Sequence, residues 1–116
     1  ISKRGCMTLN ELTIYLNDFL RVENFPNDPS KNGIQVQNSQ PDTKEIKKIA
    51  FAVDACADTI NRAVLEQADM LFVHHGLFWG LEHTLTGIHY NRIRQLIIAD
   101  TALFACHLPL DARTRK

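Results

Sequence analysis

The sequence predicts an α/β fold of three layers, with a mostly parallel central sheet flanked by helices. Three observations predict it. Residues 70–73 and 102–106 are continuous apolar runs and 46–53 becomes nearly all apolar, rather than alternating, as strands buried on both faces are. The stretches between them carry apolar residues at helical spacing. The resulting order of strand, helix, strand, helix, strand is that of parallel strands joined by helical crossovers.

Each element has its own signal. Thr8-Leu9-Asn10-Glu11 reads as a capping box, in which the Thr side chain caps the N3 amide while Glu reaches back. Leu9, Leu12, Leu16, Phe19 and Leu20 then recur on one face, predicting an amphipathic helix to about Val22. Residues 24–42 hold Pro26, Pro29, Gly33 and Pro41 among many Asn, Asp, Ser and Gln. This is a long irregular connection, of a kind that is often functional, with a short edge strand possible over Gly33–Gln37. Ile46–Val53 reads as a buried strand. Ala57–Ala68 sets Ile60, Ala63, Val64 and Gln67 along one helical face, with Asp58 in the first turn, where a negative charge meets the helix dipole favourably. Met70–Val73 is a second strand. After a glycine-punctuated stretch from Gly76 to Gly87, helical spacing returns with Ile93, Leu96 and Ile97, and Ala102–Cys106 is a third strand.

Composition narrows the function. Of 116 residues, 45% are apolar and 22% charged, which is enough to bury a core. Basic and acidic residues balance at 13 each, so there is no electrostatic footprint of a nucleic-acid or anionic-membrane binder, and no nucleic-acid partner is expected. No run approaches the 18 or so apolar residues of a membrane span. Cys6, Cys56 and Cys106 form neither a disulfide framework nor a thiolate zinc motif. Cys56 and Cys106 are expected as buried, reduced thiols, and a cytoplasmic location is expected with them. Residues 1–6 are read as a tag or upstream extension and Met7 as the initiator, leaving 7–116 as a single α/β domain.

The chemistry gathers at the carboxyl ends of the strands, where open parallel sheets bind their ligands. One strand runs into His74-His75-Gly76, the next into His107-Leu108-Pro109-Leu110-Asp111, and the first ends at Asp54. Imidazole and carboxylate are the ligands of zinc, manganese or iron. Neighbours in a regular strand face apart, so His74 and His75 need a backbone turn, which Gly76 permits, if each is to hold one ion of a close pair. His83 and His89 are taken as surface residues, and Asp54 as a cap of the following turn or helix. Phe78 and Trp79 are assigned to the core or to a subunit contact in preference to a pocket wall. No GxSxG elbow, phosphate loop or GxGxxG is present. A Cys106–His107 nucleophile pair is weakened by the opposite facing of adjacent strand residues.

Four stretches together carry a family resemblance. They are Asn32-Gly33-Ile34-Gln35-Val36, Val73-His74-His75-Gly76-Leu77-Phe78-Trp79-Gly80, Asn91-Arg92-Ile93-Arg94-Gln95-Leu96-Ile97 and His107-Leu108-Pro109-Leu110-Asp111-Ala112. In order and spacing they closely resemble the signatures of the Nif-three-like (YbgI-type) family, whose members are often labelled GTP cyclohydrolase one type two homolog. The resemblance runs from about Met7 to Ala112 and implies the N-terminal part of a larger fold. It further implies two divalent metal ions, with the histidines matching His74 and His75 on different ions and the aspartate matching Asp111 as a third ligand. His107 is implied as a pocket or proton-transfer group. A histidine and a glutamate from the C-terminal portion complete the family site, and members look like hexamers built from dimers.

The sequence departs from that pattern by ending five residues after Asp111, without the C-terminal histidine and glutamate. Taken alone it is therefore expected to bind metal weakly and to be a poor catalyst. Two readings of function follow. One is a metal-dependent hydrolase acting on a small molecule, with His107 as candidate acid or base and GTP cyclohydrolase-type activity implied by resemblance only. The other is a non-catalytic, homo-oligomeric protein that holds metal or binds a partner.

Overall fold

A computed structural model describes residues 7–79 and 84–109. Helix α1 (Leu9–Leu20) begins as the sequence predicts. The Thr8 hydroxyl accepts the Glu11 N–H at 3.3 Å and the Glu11 carboxylate accepts the Thr8 N–H at 3.0 Å. It ends before Val22 because Arg21 turns left-handed, with φ of 54°, and Val22–Asn24 form a 3₁₀ turn. Strand β1 (Met7–Thr8) pairs antiparallel with β3 (Glu45–Ile46) beside this helix.

The main sheet has four strands in the order β2-β6-β5-β4. They are β2 (Gly33–Val36), β4 (Ile49–Asp54), β5 (Met70–His75) and β6 (Ala102–Ala105). The β4–β5 and β5–β6 pairs are parallel, and β2 adds antiparallel to β6 as an edge strand, with a bulge between Ile34 and Val36. Helix α2 (Ala57–Leu65) connects β4 to β5, and α3 (Gly87–Ala99) lies in the chain between β5 and β6.

The two-residue period of the strands divides the core between two faces. Leu71, Val73, Leu103 and Ala105 pack with Ile60 and Ala63 of α2 and Ile93 and Leu96 of α3. Met70, Ala102, Phe104 and Cys106 pack with Leu9 and Leu20 of α1, and Leu12 and Leu16 lie against the same cluster. This is the three-layer arrangement expected, and each fully buried Leu, Val or Phe contributes about 1.5–3 kcal/mol.

Several expectations need correction. The 46–53 run is two strands, because the Asp69 carboxylate accepts the backbone N–H groups of Lys47 and Lys48 at 2.8 and 3.0 Å and bends the chain between β3 and β4. Nor is β4 a buried strand. It is the outer strand of the sheet, and Phe51 and Val53 are 72% and 62% exposed. Helix α2 ends at Leu65, and Gln67, with φ of 59°, leaves the helical face assigned to it. Ile97 of α3 is exposed. Cys106 is buried as expected, but Cys56 is half-buried at the N-cap of α2. Among the described residues no helix is long and apolar enough to cross a membrane.

Candidate functional site

β5 and β6 run side by side in parallel, so their carboxyl ends open on one rim. There His74, His75 and His107 come together. Their ring centroids are 4.5 Å apart for His74–His75, 4.7 Å for His74–His107 and 5.5 Å for His75–His107. One ring nitrogen from each lies within 4.8 Å of the others, close enough for three donors to face one ion. Both His74 and His75 belong to β5, so no backbone turn between them is required; their rings meet at the strand's end. Asp111 lies outside the described residues, as does His83.

Two carboxylates hold two of these rings. Asp54 is the parallel-strand partner of His75, and its Oδ1 is 2.6 Å from His75 Nδ1. It does not cap α2: that helix is capped by Cys56, whose N–H donates to the Thr59 hydroxyl at 3.0 Å. On the other side Asp28 Oδ1 is 3.1 Å from His107 Nδ1. A carboxylate only accepts, so in each pair the neutral imidazole carries its proton on Nδ1 and leaves the Nε2 lone pair for a ligand.

Burial works against the charged form of the Asp28 carboxyl. The bonds from the Asn32 side chain, the Leu108 and Ser30 amides and the His107 ring outweigh it, and the group titrates below its ordinary value of 3.8.

The long 24–42 connection supplies this machinery. Asn32 Oδ1 accepts the His107 N–H at 2.9 Å. Gln35 accepts the Leu77 N–H at 2.7 Å through Oε1 and donates to the Lys31 carbonyl at 2.9 Å through Nε2. One segment therefore ties down both rim loops. Gly76 is needed for room rather than for a left-handed turn. A Cβ there would fall on the Gln35 amide, 2.7 Å from its Cδ.

The aromatic pair after His75 divides. Phe78 packs on the core and against the ring of His89 at 5.0 Å, which makes His89 half-buried rather than a surface residue. Trp79 is a pocket wall, with its ring 5.1 Å from His107 and 5.9 Å from His75. The sequence does not mark Asp28 as a site residue, and for Trp79 the pocket-wall alternative replaces the preferred core or subunit-contact assignment. Asp28 acts across 79 positions of sequence, and Trp79 lies within an apolar run that suits a core equally well. From His74 an apolar groove of about 610 Å³ runs between α1 and the sheet, lined by Leu12, Leu16, Phe19, Phe51 and Phe72.

Comparison with known proteins agrees with the resemblance noted in the sequence. A sequence model of the Duf34/NIF3 (NGG1p interacting factor 3) family matches residues 7–115. A protein of Treponema pallidum (strain Nichols) named GTP cyclohydrolase 1 type 2 homolog is 50% identical over 107 residues, covering 91% of this chain and 36% of that protein. A protein of the same name from Deinococcus radiodurans is 46% identical over 109 residues, covering 94% and 40%. The crystal structure of TTHA1606 from Thermus thermophilus superposes with a TM-score of 0.84 at 42% identity, covering 90% of this chain and 42% of that one. The chain thus spans about 40% of the length of these relatives.

Proposed function

The chain belongs to the Duf34/NIF3 family, and from that membership we propose that its histidine rim is part of a divalent metal centre serving hydrolysis of a small molecule. The observation that carries the reading is the convergence of three imidazoles within 4.8 Å of one another, two of them bonded through Nδ1 to carboxylates. Paired His–carboxylate contacts of this kind orient metal ligands and raise their basicity.

His74 and His75 are the proposed ligands, with Asp111 a third. Zinc, iron and manganese all suit this imidazole–carboxylate set. A bound divalent ion would supply Lewis acidity and acidify water at the rim. His107, with Nδ1 tied to Asp28, keeps Nε2 for accepting a proton from water or passing one to a leaving group. Trp79 covers one side of that ring and limits its contact with bulk water. The names of the relatives make GTP the first substrate to try, beside phosphoesters.

Titration calorimetry with Zn²⁺ and Mn²⁺ tests the centre. His74→Ala, His75→Ala and Asp111→Ala should each weaken uptake at least about tenfold. Affinities unchanged in all three would overturn it. Hydrolysis is tested with His107→Ala, which should keep the metal and lose turnover.

A second reading, a homo-oligomeric protein that holds metal without catalysis or binds a partner, draws on exposed Phe51 and Val53 at the sheet edge. It expects chelation to lower assembly or melting temperature with no turnover to lose.

A further inference from the structure

We infer that Asp28 is a positioning residue of this centre, fixing the imidazole of His107 through Nδ1 and holding the backbone N–H of Leu108. The inference rests on the metal-centre reading for what the ring is positioned toward; the bonds stand independently of it.

The side chain of Asp28 is fully shielded from solvent. A buried carboxylate persists only if its lone pairs are met. Here four donors converge on two oxygens. Oδ1 accepts from the Ser30 N–H and from His107 Nδ1, both at 3.1 Å. Oδ2 accepts from the Asn32 side-chain amide and from the Leu108 N–H, both at 2.9 Å. Asn32 in turn accepts the His107 N–H through Oδ1 at 2.9 Å, so His107 is gripped at its backbone and its ring by the same two side chains.

The chemistry requires a carboxylate. An asparagine at position 28 would bring an NH₂ group against two N–H donors, and a serine would leave at least two of them unmet. Since the ionised group can only accept, His107 Nδ1 must donate, and a neutral ring must then offer its lone pair at Nε2. The tautomer of His107 is thereby decided by a residue 79 positions away. The Leu108 bond holds the backbone next to the ring.

A loop staple with no bearing on the ring would hold the chain but leave the histidine tautomer untouched. Long-range ¹H–¹⁵N NMR of the metal-free chain reads the tautomer directly. The parent chain should show His107 protonated at Nδ1. Asp28→Asn should move the proton toward Nε2 while the amide signals of β5 and α2 keep their positions. In Co²⁺ titrations the same variant should keep the parent's affinity, because His107 is not one of the proposed ligands.

His107 protonated at Nε2 in the parent overturns the inference. So does an Asp28→Asn chain whose His107 keeps its proton on Nδ1. Should that variant fail to fold, the parent's tautomer decides alone. If the parent takes up no Co²⁺ while the tautomer still responds to Asp28→Asn, the positioning of His107 by Asp28 stands apart from the metal reading.

Discussion

Gly76 follows the two histidines of β5, and the space where its side chain would be is filled by the Gln35 amide. That amide accepts the Leu77 N–H and reaches back to the Lys31 carbonyl, so it links the turn after β5 to the segment before β2. Gly76→Ala should push the amide away and leave these groups unmet, at a cost of about 1–3 kcal/mol. Urea unfolding reads this directly. A variant as stable as the parent would show that the Gln35 contact is dispensable. The sequence marks Gly76 and Gln35 as members of two motifs 41 positions apart. It carries no sign that one glycine lacks a side chain because the other motif fills the space. Asp54 teaches the same lesson. Its place at a strand end was legible, but its role toward His75 follows from the β4–β5 register.

Among the described strands, β4 is the one that carries large exposed hydrophobic residues. Its outer edge is unpaired in the described sheet, and grooves flank it on both faces: one of about 610 Å³ beside α1, and one of about 500 Å³ beside α2 that includes Lys48, Arg62 and Glu66. An unpaired strand with Phe51 and Val53 open to solvent invites another strand to add to it, and a charge at such a position opposes addition. Phe51→Lys should therefore reduce self-association of the chain, measured by light scattering on a sizing column over a concentration series. Parent and variant that are equally monomeric throughout would overturn this. The apolar run 46–53 reported that these residues suit burial. Which strand stands outermost depends on pairing, and composition does not encode pairing.

At the scale of the whole molecule, long-range polar ties hold the irregular connection onto the layered core. Asp100, left-handed at the end of α3 with φ of 57°, accepts the Ser39 N–H at 2.7 Å, the Ser39 hydroxyl at 3.0 Å and the Lys44 ammonium at 2.9 Å. Burial works against its charge, but the Lys44 and Ser39 bonds prevail and hold its carboxyl below the ordinary value of 3.8. A carboxyl depressed on folding stabilises the fold above its unfolded pKa of about 3.9, and this contribution is lost as pH falls through the lower folded value. Asp100→Asn should thus be less stable than the parent at pH 7, with the gap closing as pH drops below about 4. Denaturant midpoints across the acid-to-neutral range measure it, and a gap independent of pH would count against it.

Local signals in the chain were enough to set the layered α/β class, the capped first helix, the mostly parallel strands and the arrival of His74, His75 and His107 at one rim. These follow from periodicity, from capping residues and from the rule that parallel strands present their carboxyl ends together. Which groups hold those rings was settled by tertiary packing alone. Asp54 reaches His75 through strand register, Asp28 and Asn32 reach His107 from a connection rich in turn residues, and Trp79 closes one side. Each is a contact between residues distant in sequence or brought together by a turn, and such contacts arise from packing, which no periodicity in the chain records.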